Sequence, residues 1–534
     1  VTRADSLRRA EWVIAVALSA AILFFMAVRF AHAGALWRDE CAVVNLARMP
    51  SVADVVRNFQ HEAFPVPFPL LVRAYTNAFG STDFALRLFG ILTGIALLCA
   101  IWFTGKLIAK GPPLIALGLL GLNATFLFWG TTIRGYGLGA TLIVLTFALF
   151  AALLREPSTP RIIFAAFASL AAVQCLVHNL ALIGAFTVAA GVVSLLKHDA
   201  KRLIIFLGLL ALCLISFLPY LDAYSSSWSQ VVQFPVTPRL LWNQFNFALG
   251  NPNPAMAWFW RIAFVALLIV AIRQLWTTRH NKSAPEWDLV LFASISAIVA
   301  PIFYYKFLQT LSYLTRSWYF IALIAAVAIA LDSLAAVLSG ATWIRIGRIL
   351  FAAIVLIVLP INAWPIITQR QTNIDIVAKK VSDEAKASDL VVIAPWQYAI
   401  SFSRYYHGTT PSLTLPIISD LRVHRYDLFR DKMIAEHPID DVLEKIRETL
   451  VAGNRVWIVG EIKLPPEGRP PRQLPPAQSN NGAWDNVAYS DAWQEQLSAF
   501  VRQHTEKGQS VSLPSRGAIN PFEDVPLTVV EGWQ

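Results

Sequence analysis

The sequence predicts a multi-pass α-helical membrane protein of about eleven spanning helices, followed by a C-terminal extracytoplasmic α/β domain. Three observations carry this. Hydrophobic residues make up 56% of the 534 residues and charged ones only 15%, which is too apolar for a soluble globular chain. A series of apolar runs approaches the roughly twenty residues that a spanning helix needs. Beyond Pro365 the composition turns ordinary: residues 1–368 hold 26 Lys+Arg against 13 Asp+Glu, whereas 369–534 hold 18 against 21. The net charge of +10 therefore belongs to the membrane half, where it can set topology. Nucleic acid is not an expected partner.

The apolar runs fall at 12–31, 84–104, 113–130, 137–154, 162–177, 180–196, 203–221, 259–276, 288–305, 317–338 and 349–367. The basic VTRADSLRRAEW before the first run, and the absence of a small-residue cleavage site after it, read as an uncleaved signal anchor. With the N-terminus inside, the cytoplasmic segments carry Arg8 and Arg9, then Lys106 and Lys110, then Arg155 and Arg161. Lys197, Lys201 and Arg202 follow, then Arg273, Arg279 and Lys282, then Arg345 and Arg348. Every even-numbered connection is basic, as the positive-inside rule requires. An odd number of spans puts the C-terminal region outside. The four cysteines imply no disulfide framework or Cys-based zinc site.

The division that follows is a membrane domain over 1–367 and an outer domain over 368–534. In the latter, helix-then-strand patterns recur, with buried strands expected at Leu390–Ile393 and Val456–Val459, as in a small α/β domain of parallel type. The Pro-rich 464–484 reads as a loop. No Gly-rich phosphate fingerprint is present, so a nucleotide site is not supported. On the membrane side, the 222–258 loop carries Trp228, Trp242 and Trp258. It reads either as an interfacial anchor or as a lid over a lipid site.

The first outer loop, 32–83, holds the candidate chemistry. Asp39 and Glu40 stand at the membrane edge, where carboxylates are costly and usually functional. Adjacent residues do not share a helix face, so one carboxylate could face the reaction centre while the other holds an amide, a base or a metal. Helix capping is the plain alternative. His61 and Glu62 follow, before Pro65, Pro67 and Pro69. Asp39, Glu40, Glu62 and His61 could assemble a divalent site for Mg or Mn, or none. On the outer side, Arg134, Lys306 and Arg316 run against the positive-inside bias, and a fixed lipid phosphate would explain them. Snorkelling to ordinary headgroups is the alternative. His178–Asn179 lies in the turn between the fifth and sixth spans.

In this order the motifs resemble a known family. The acidic pair, a His then prolines before PLL, and GSTDFALRLFGILTG opening the second span are similar to bacterial membrane glycosyltransferases of the GT-C superfamily. The branch is that of protein O-mannosyltransferases and the lipid A aminoarabinose and galacturonic acid transferases. TTIRGYGLGATL resembles the family's Arg-x-Tyr turn, CLVHNLALIG its His-containing turn, and LTRSWYFIALIAAVAIAL its Arg–aromatic segment. The resemblance spans residues 12–367.

It implies an inverting enzyme of a bacterial inner membrane, with a polyprenyl-phosphate-sugar donor and a hydroxyl acceptor on a lipid, glycan or protein. Asp39 matches the proposed catalytic base, with Glu40 beside it. Arg134, Tyr136 and Arg316 match positions suited to the donor phosphate; apart from the resemblance, His61 with Glu62 reads as an orienting hydrogen-bond partner near the acceptor, and His178 as a further orienting group or a cap on two helix ends. The stretched HEAFPVPFPL, Thr132 and Ile133 before the Arg-x-Tyr turn, and Asn179 depart from the family pattern and leave the acceptor open. A polytopic lipid transporter or flippase and a membrane-anchored interaction protein are the competing functions. No inverted repeat or paired broken spans support the former.

Overall fold

The structure, a computed structural model, describes residues 3–62, 64–109, 111–221, 223, 236–279, 285–311, 314–467, 469–478, 485–514 and 517–534. Lys110, Trp228 and Lys282 lie outside the described residues. Among those described, 9 helices are long and apolar enough to cross a membrane, and Thr159–Cys175 is a shorter apolar helix. The chain is a multi-pass membrane protein with a C-terminal domain. The run at 113–130 is helical but not one helix. A single turn, α6 (Leu114–Ala116), passes into a wide π turn over Leu117–Gly121, and a second π turn covers Phe126–Gly130. Asn123 accounts for the break. Its Oδ1 accepts from the Phe126 amide at 2.9 Å, and its Nδ2 donates to the carbonyls of Ala248 and Leu249 at 3.0 and 3.3 Å. Broken backbone survives at membrane depth only where protein groups satisfy it, and this run is buried.

Between α1 (Arg3–His32) and α5 (Asp83–Thr104) the chain folds into three further helices. The first, α2 (Arg38–Ala47), begins at Trp37, whose extended backbone leaves its amide to the Glu40 carboxylate at 3.4 Å. Asp39 and Glu40 also occupy the first turn, where the helix dipole favours negative charge. The next, α3 (Val52–Asn58), opens on a reciprocal cap. Ser51 Oγ accepts from the Asp54 amide at 3.1 Å, and Asp54 accepts from the Ser51 amide at 3.0 Å. Pro67 occupies the first position of α4 (Pro67–Phe79), where its missing N–H costs nothing. What the sequence predicts as an outer loop is therefore a small helical platform.

The C-terminal domain contains a five-stranded sheet in the order β2-β1-β3-β5-β4. β1 (Leu390–Ile393), β2 (Ser412–Thr414) and β3 (Val456–Val459) are parallel, with Val392 opposite Leu413 and Ile458. β4 (Thr505–Ser510) and β5 (Leu527–Trp533) add an antiparallel edge, β5 pairing with β3. The two strands expected from sequence form the buried centre. The antiparallel pair is additional: β4, TEKGQS, is mostly exposed and carries no apolar run to mark it.

The domain sits directly on the helical platform. Tyr405 Oη accepts from the Leu36 amide at 2.7 Å and donates to Asp83 at 2.8 Å. Arg404 pairs with Asp83 at 2.8 Å, and Asn45 Nδ2 donates to the Arg422 carbonyl at 3.0 Å. Arg29, near the end of α1, donates to the Gln369 carbonyl and the Gln371 side chain.

Candidate active site

The acidic pair separates. Glu40 turns into the protein, with no side-chain surface exposed, and bonds Arg87 at 2.7 Å. It also accepts from the Ile133 amide at 3.2 Å. It thus ties the start of α2 to α5 and to the turn before α7 (Gly135–Arg155). The Asp39 carboxylate instead keeps 20% of its side-chain surface open, close to three cations or potential cations: Arg38 at 3.8 Å, Arg134 at 3.9 Å and His424 at 3.6 Å. None of those distances is a tight ion pair. Asp39 is the carboxylate available to a ligand.

Arg134 occupies the N-cap of α7 with an extended backbone. A cation at a helix N-terminus is opposed by the dipole, so it needs carboxylate partners. Its Nη1 donates to Glu62 at 3.0 Å and to the Asp39 carbonyl at 3.1 Å, and the guanidinium lies over the Phe64 ring at 4.3 Å. Burial pulls its pKa down, but Tyr136, Asp39 and Glu62 outweigh burial and hold it above the ordinary value. The Arg134 Nε is buried without a hydrogen-bond partner among the described residues. Two glycines let this turn come so close. A Cβ on Gly90 would meet the Thr131 carbonyl oxygen at 1.8 Å, and one on Gly137 the Gly130 oxygen at 1.9 Å.

Glu62 is the hub. Its Oε2 takes Arg134, and its Oε1 takes both the His424 amide at 3.2 Å and the ring Nδ1 at 2.7 Å. Burial pushes the carboxyl up, but the His424 ring and then Arg134 overcome this and hold it below its ordinary value. The same contacts act on His424: burial lowers it, while Glu62 and Asp39 raise it overall. His424 comes from the C-terminal domain, in the segment before the helix Tyr426–Ile434. Its ring stacks on Tyr426 at 6.0 Å, with Trp396 edge-on at 6.5 Å.

Other candidates fall around this centre. Tyr136 is buried against Phe64 and Tyr319, with centroids 6.4 and 6.0 Å apart. Arg316 lies over the Phe522 ring at 5.1 Å. Phe522 packs on Trp318 and Trp129, and Trp37 joins the same aromatic cluster beside Asp39. His178 is boxed in by Tyr304, Phe307 and Tyr319, and burial pulls its pKa down to about 4. His61 faces Asp427 at 3.7 Å, not Asp39. Lys306 is exposed and bonds Gln309 one turn along its own helix at 3.3 Å.

The residues weighed for a divalent cation do not converge. Glu40 is engaged by Arg87, Glu62 by Arg134 and His424, and His61 points to Asp427. Among the described residues no group of three or more His, Cys, Asp or Glu is gathered to hold a metal. Three further contributors are not picked out by the sequence reading: Arg87, although it lies within the quoted GSTDFALRLFGILTG; His424, alone in VHRY; and Glu523, in NPFED. Glu523 receives Arg38 Nη1 at 3.2 Å, its amide at 3.0 Å and Ser401 at 2.8 Å. Burial raises its pKa, with Arg38 opposing.

The membrane bundle holds a partly exposed acid and a buried Arg beneath a C-terminal domain, and its fold is similar to that of a solved membrane protein. The crystal structure of ArnT from Cupriavidus metallidurans bound to undecaprenyl phosphate superposes with a TM-score of 0.51 at 13% identity, covering 84% of this chain and 92% of that one. The Archaeoglobus fulgidus oligosaccharyltransferase, tethered to an acceptor peptide with the NVT sequon, matches with a TM-score of 0.48 at 11% identity, covering 98% of this chain and 74% of that one. No protein-family profile matches the chain. No curated protein matches it in sequence.

Proposed function

We propose that the chain is an inverting glycosyltransferase that moves a sugar from a polyprenyl-phosphate carrier to a hydroxyl acceptor on the extracytoplasmic face. The observation that carries this is the contrast within the pair: Asp39 is open at 20% beside Arg134, while Glu40 is sealed. That ArnT, of the same fold, binds undecaprenyl phosphate supports a lipid phosphate as leaving group here. In the step, the acceptor oxygen forms a bond to the anomeric carbon as its proton passes to Asp39. The carbon–oxygen bond to phosphate breaks, and the polyprenyl phosphate leaves with the electron pair. Arg134, through its unpartnered Nε, and Arg316, beside the aromatic cluster, stabilise the departing charge. A polyprenyl phosphate is a good leaving group, so one carboxylate suffices, unlike the pair that glycoside hydrolysis uses. Glu40 and Arg87 hold the platform; His61, Lys306 and His178 stand outside the reacting centre. The acceptor is a lipid, glycan or protein hydroxyl.

The test is transfer of labelled sugar from polyprenyl-phosphate-sugar donors to pooled membrane lipids and proteins, with wild type beside Asp39→Asn. Loss of a general base costs about 10²–10⁴ in turnover. Equal transfer by both proteins would refute the role of Asp39.

A further inference from the structure

Among the described residues, His424 is the one side chain of the C-terminal domain that forms an ion-pair contact with both carboxylates facing Arg134. Its Nδ1 is 2.7 Å from Glu62 Oε1, and its Nε2 is 3.6 Å from Asp39 Oδ1. The ring's two nitrogens thus address two carboxylates on separate elements, 362 residues away in sequence for Glu62. The groups facing it are Glu62 after α3, Asp39 on α2, Arg134 before α7, and Tyr426 and Trp396 of its own domain. With the ring protonated, the three carboxylates Asp39, Glu62 and Glu523 balance the three cations Arg38, Arg134 and His424; without that proton one negative charge is uncompensated, which is costly. The contacts that raise the His424 pKa agree with the charged form. Stacking on Tyr426 and the amide bond from His424 to Glu62 fix the ring's plane and position.

We infer that His424 is a positioning residue for Asp39, so that the site is composite and the C-terminal domain is required for the chemical step itself. This rests on the transferase reading with Asp39 as base. The imidazolium sets Nε2 3.6 Å from Asp39 Oδ1, while Oδ2 lies 3.9 Å from Arg134, and Glu62 anchors the ring from behind. The pattern is that of a base faced at 3.6 Å by a charged neighbour, which is itself hydrogen-bonded to a third group.

The experiment uses the full chain in lipid nanodiscs with a polyprenyl-phosphate-sugar donor. Turnover and donor KM are compared for wild type, H424A, H424Q, D39N and R404A across pH 4.5–9. Arg404 docks the same domain through Asp83 and serves as the comparison for docking alone. H424A is expected to lower kcat about 100-fold with donor KM within threefold. It should also move the acid limb of the kcat profile up by about one pH unit, because a cation facing the base is gone. H424Q is expected to recover at least about tenfold of kcat without returning the acid limb, since an amide orients but carries no charge. R404A is expected to leave kcat within threefold and the limb in place. H424A with kcat within threefold and an unmoved limb would overturn the inference, as would R404A reproducing both effects. If H424A does not fold, H424Q decides: a shifted limb supports the inference and an unshifted one overturns it. Wild-type-like transfer by D39N would instead overturn the transferase reading with Asp39 as base, and this inference with it.

Discussion

Arg87→Met removes the cation paired with Glu40 and should loosen the platform from which Asp39 projects. The magnitude follows from burial. Glu40 has no exposed side-chain surface and Arg87 only 7%, and they meet at 2.7 Å. Removing one partner of a buried pair strands a charge at a cost of about 3–5 kcal/mol. Glu40 retains the amides of Trp37 and Ile133, at 3.4 and 3.2 Å, which places the loss at the lower end, about 3 kcal/mol. Arg87 also donates to the carbonyls of Gly34 and Ala35, so the end of α1 loses partners too. Hydrogen exchange of the α2 amides under opening-limited equilibrium conditions reads this directly. Three kcal/mol is about a hundredfold faster exchange. Adding Glu40→Gln in the same background removes the stranded charge and should return about 2 kcal/mol, a coupling within the range contacting pairs show. The reasoning fails if α2 exchange in Arg87→Met stays within threefold of wild type. It fails equally if the double variant is no better than the single.

The Glu62–His424 contact makes the seam between the domains pH-dependent. Glu62 is held below its ordinary 4.5, so its contribution is complete above that value and is lost as pH falls through the lowered one. His424 is held above its ordinary 6.5, so its contribution is complete below 6.5 and decays as pH climbs through the raised value. Protection of the 420–427 backbone should therefore be greatest between about pH 4.5 and 6.5, which exchange at a series of pH values would show; protection that only rises or only falls from below pH 4.5 to above pH 6.5 would exclude it. Tyr405→Phe leaves the Leu36 amide without its acceptor. It should cost about 1–3 kcal/mol, measured as a lower denaturation midpoint, and no change in midpoint would refute the contact.

The membrane architecture was legible because hydropathy is a local sum. Each span announces itself within about twenty residues, and the alternating basic connections give an independent check. The run at 113–130 was legible as apolar and helical, although its break at Asn123 was not. That break depends on carbonyls more than a hundred residues away, at Ala248 and Leu249. The parallel strands Leu390–Ile393 and Val456–Val459 were legible as short apolar runs; the edge strand Thr505–Ser510, polar and exposed, was not.

The candidate site divides along the same line. Asp39, Glu40, Glu62 and Arg134 could be picked out because a charge at the membrane edge is costly wherever its partners lie. Nothing in LWRDEC says which acid is sealed and which is open. Helix α2 rotates successive side chains by about 100°, and only the packed positions of Arg87 and Ile133 decide that Glu40 receives them. Nor could VHRY be joined to HEAF. A single His near a Tyr has no periodicity or spacing to mark it, and its value arises only when a separate domain docks and brings it against Glu62. Sequence determines where charge meets membrane, because transfer cost belongs to each residue; tertiary structure determines what that charge touches, because contact belongs to pairs far apart along the chain.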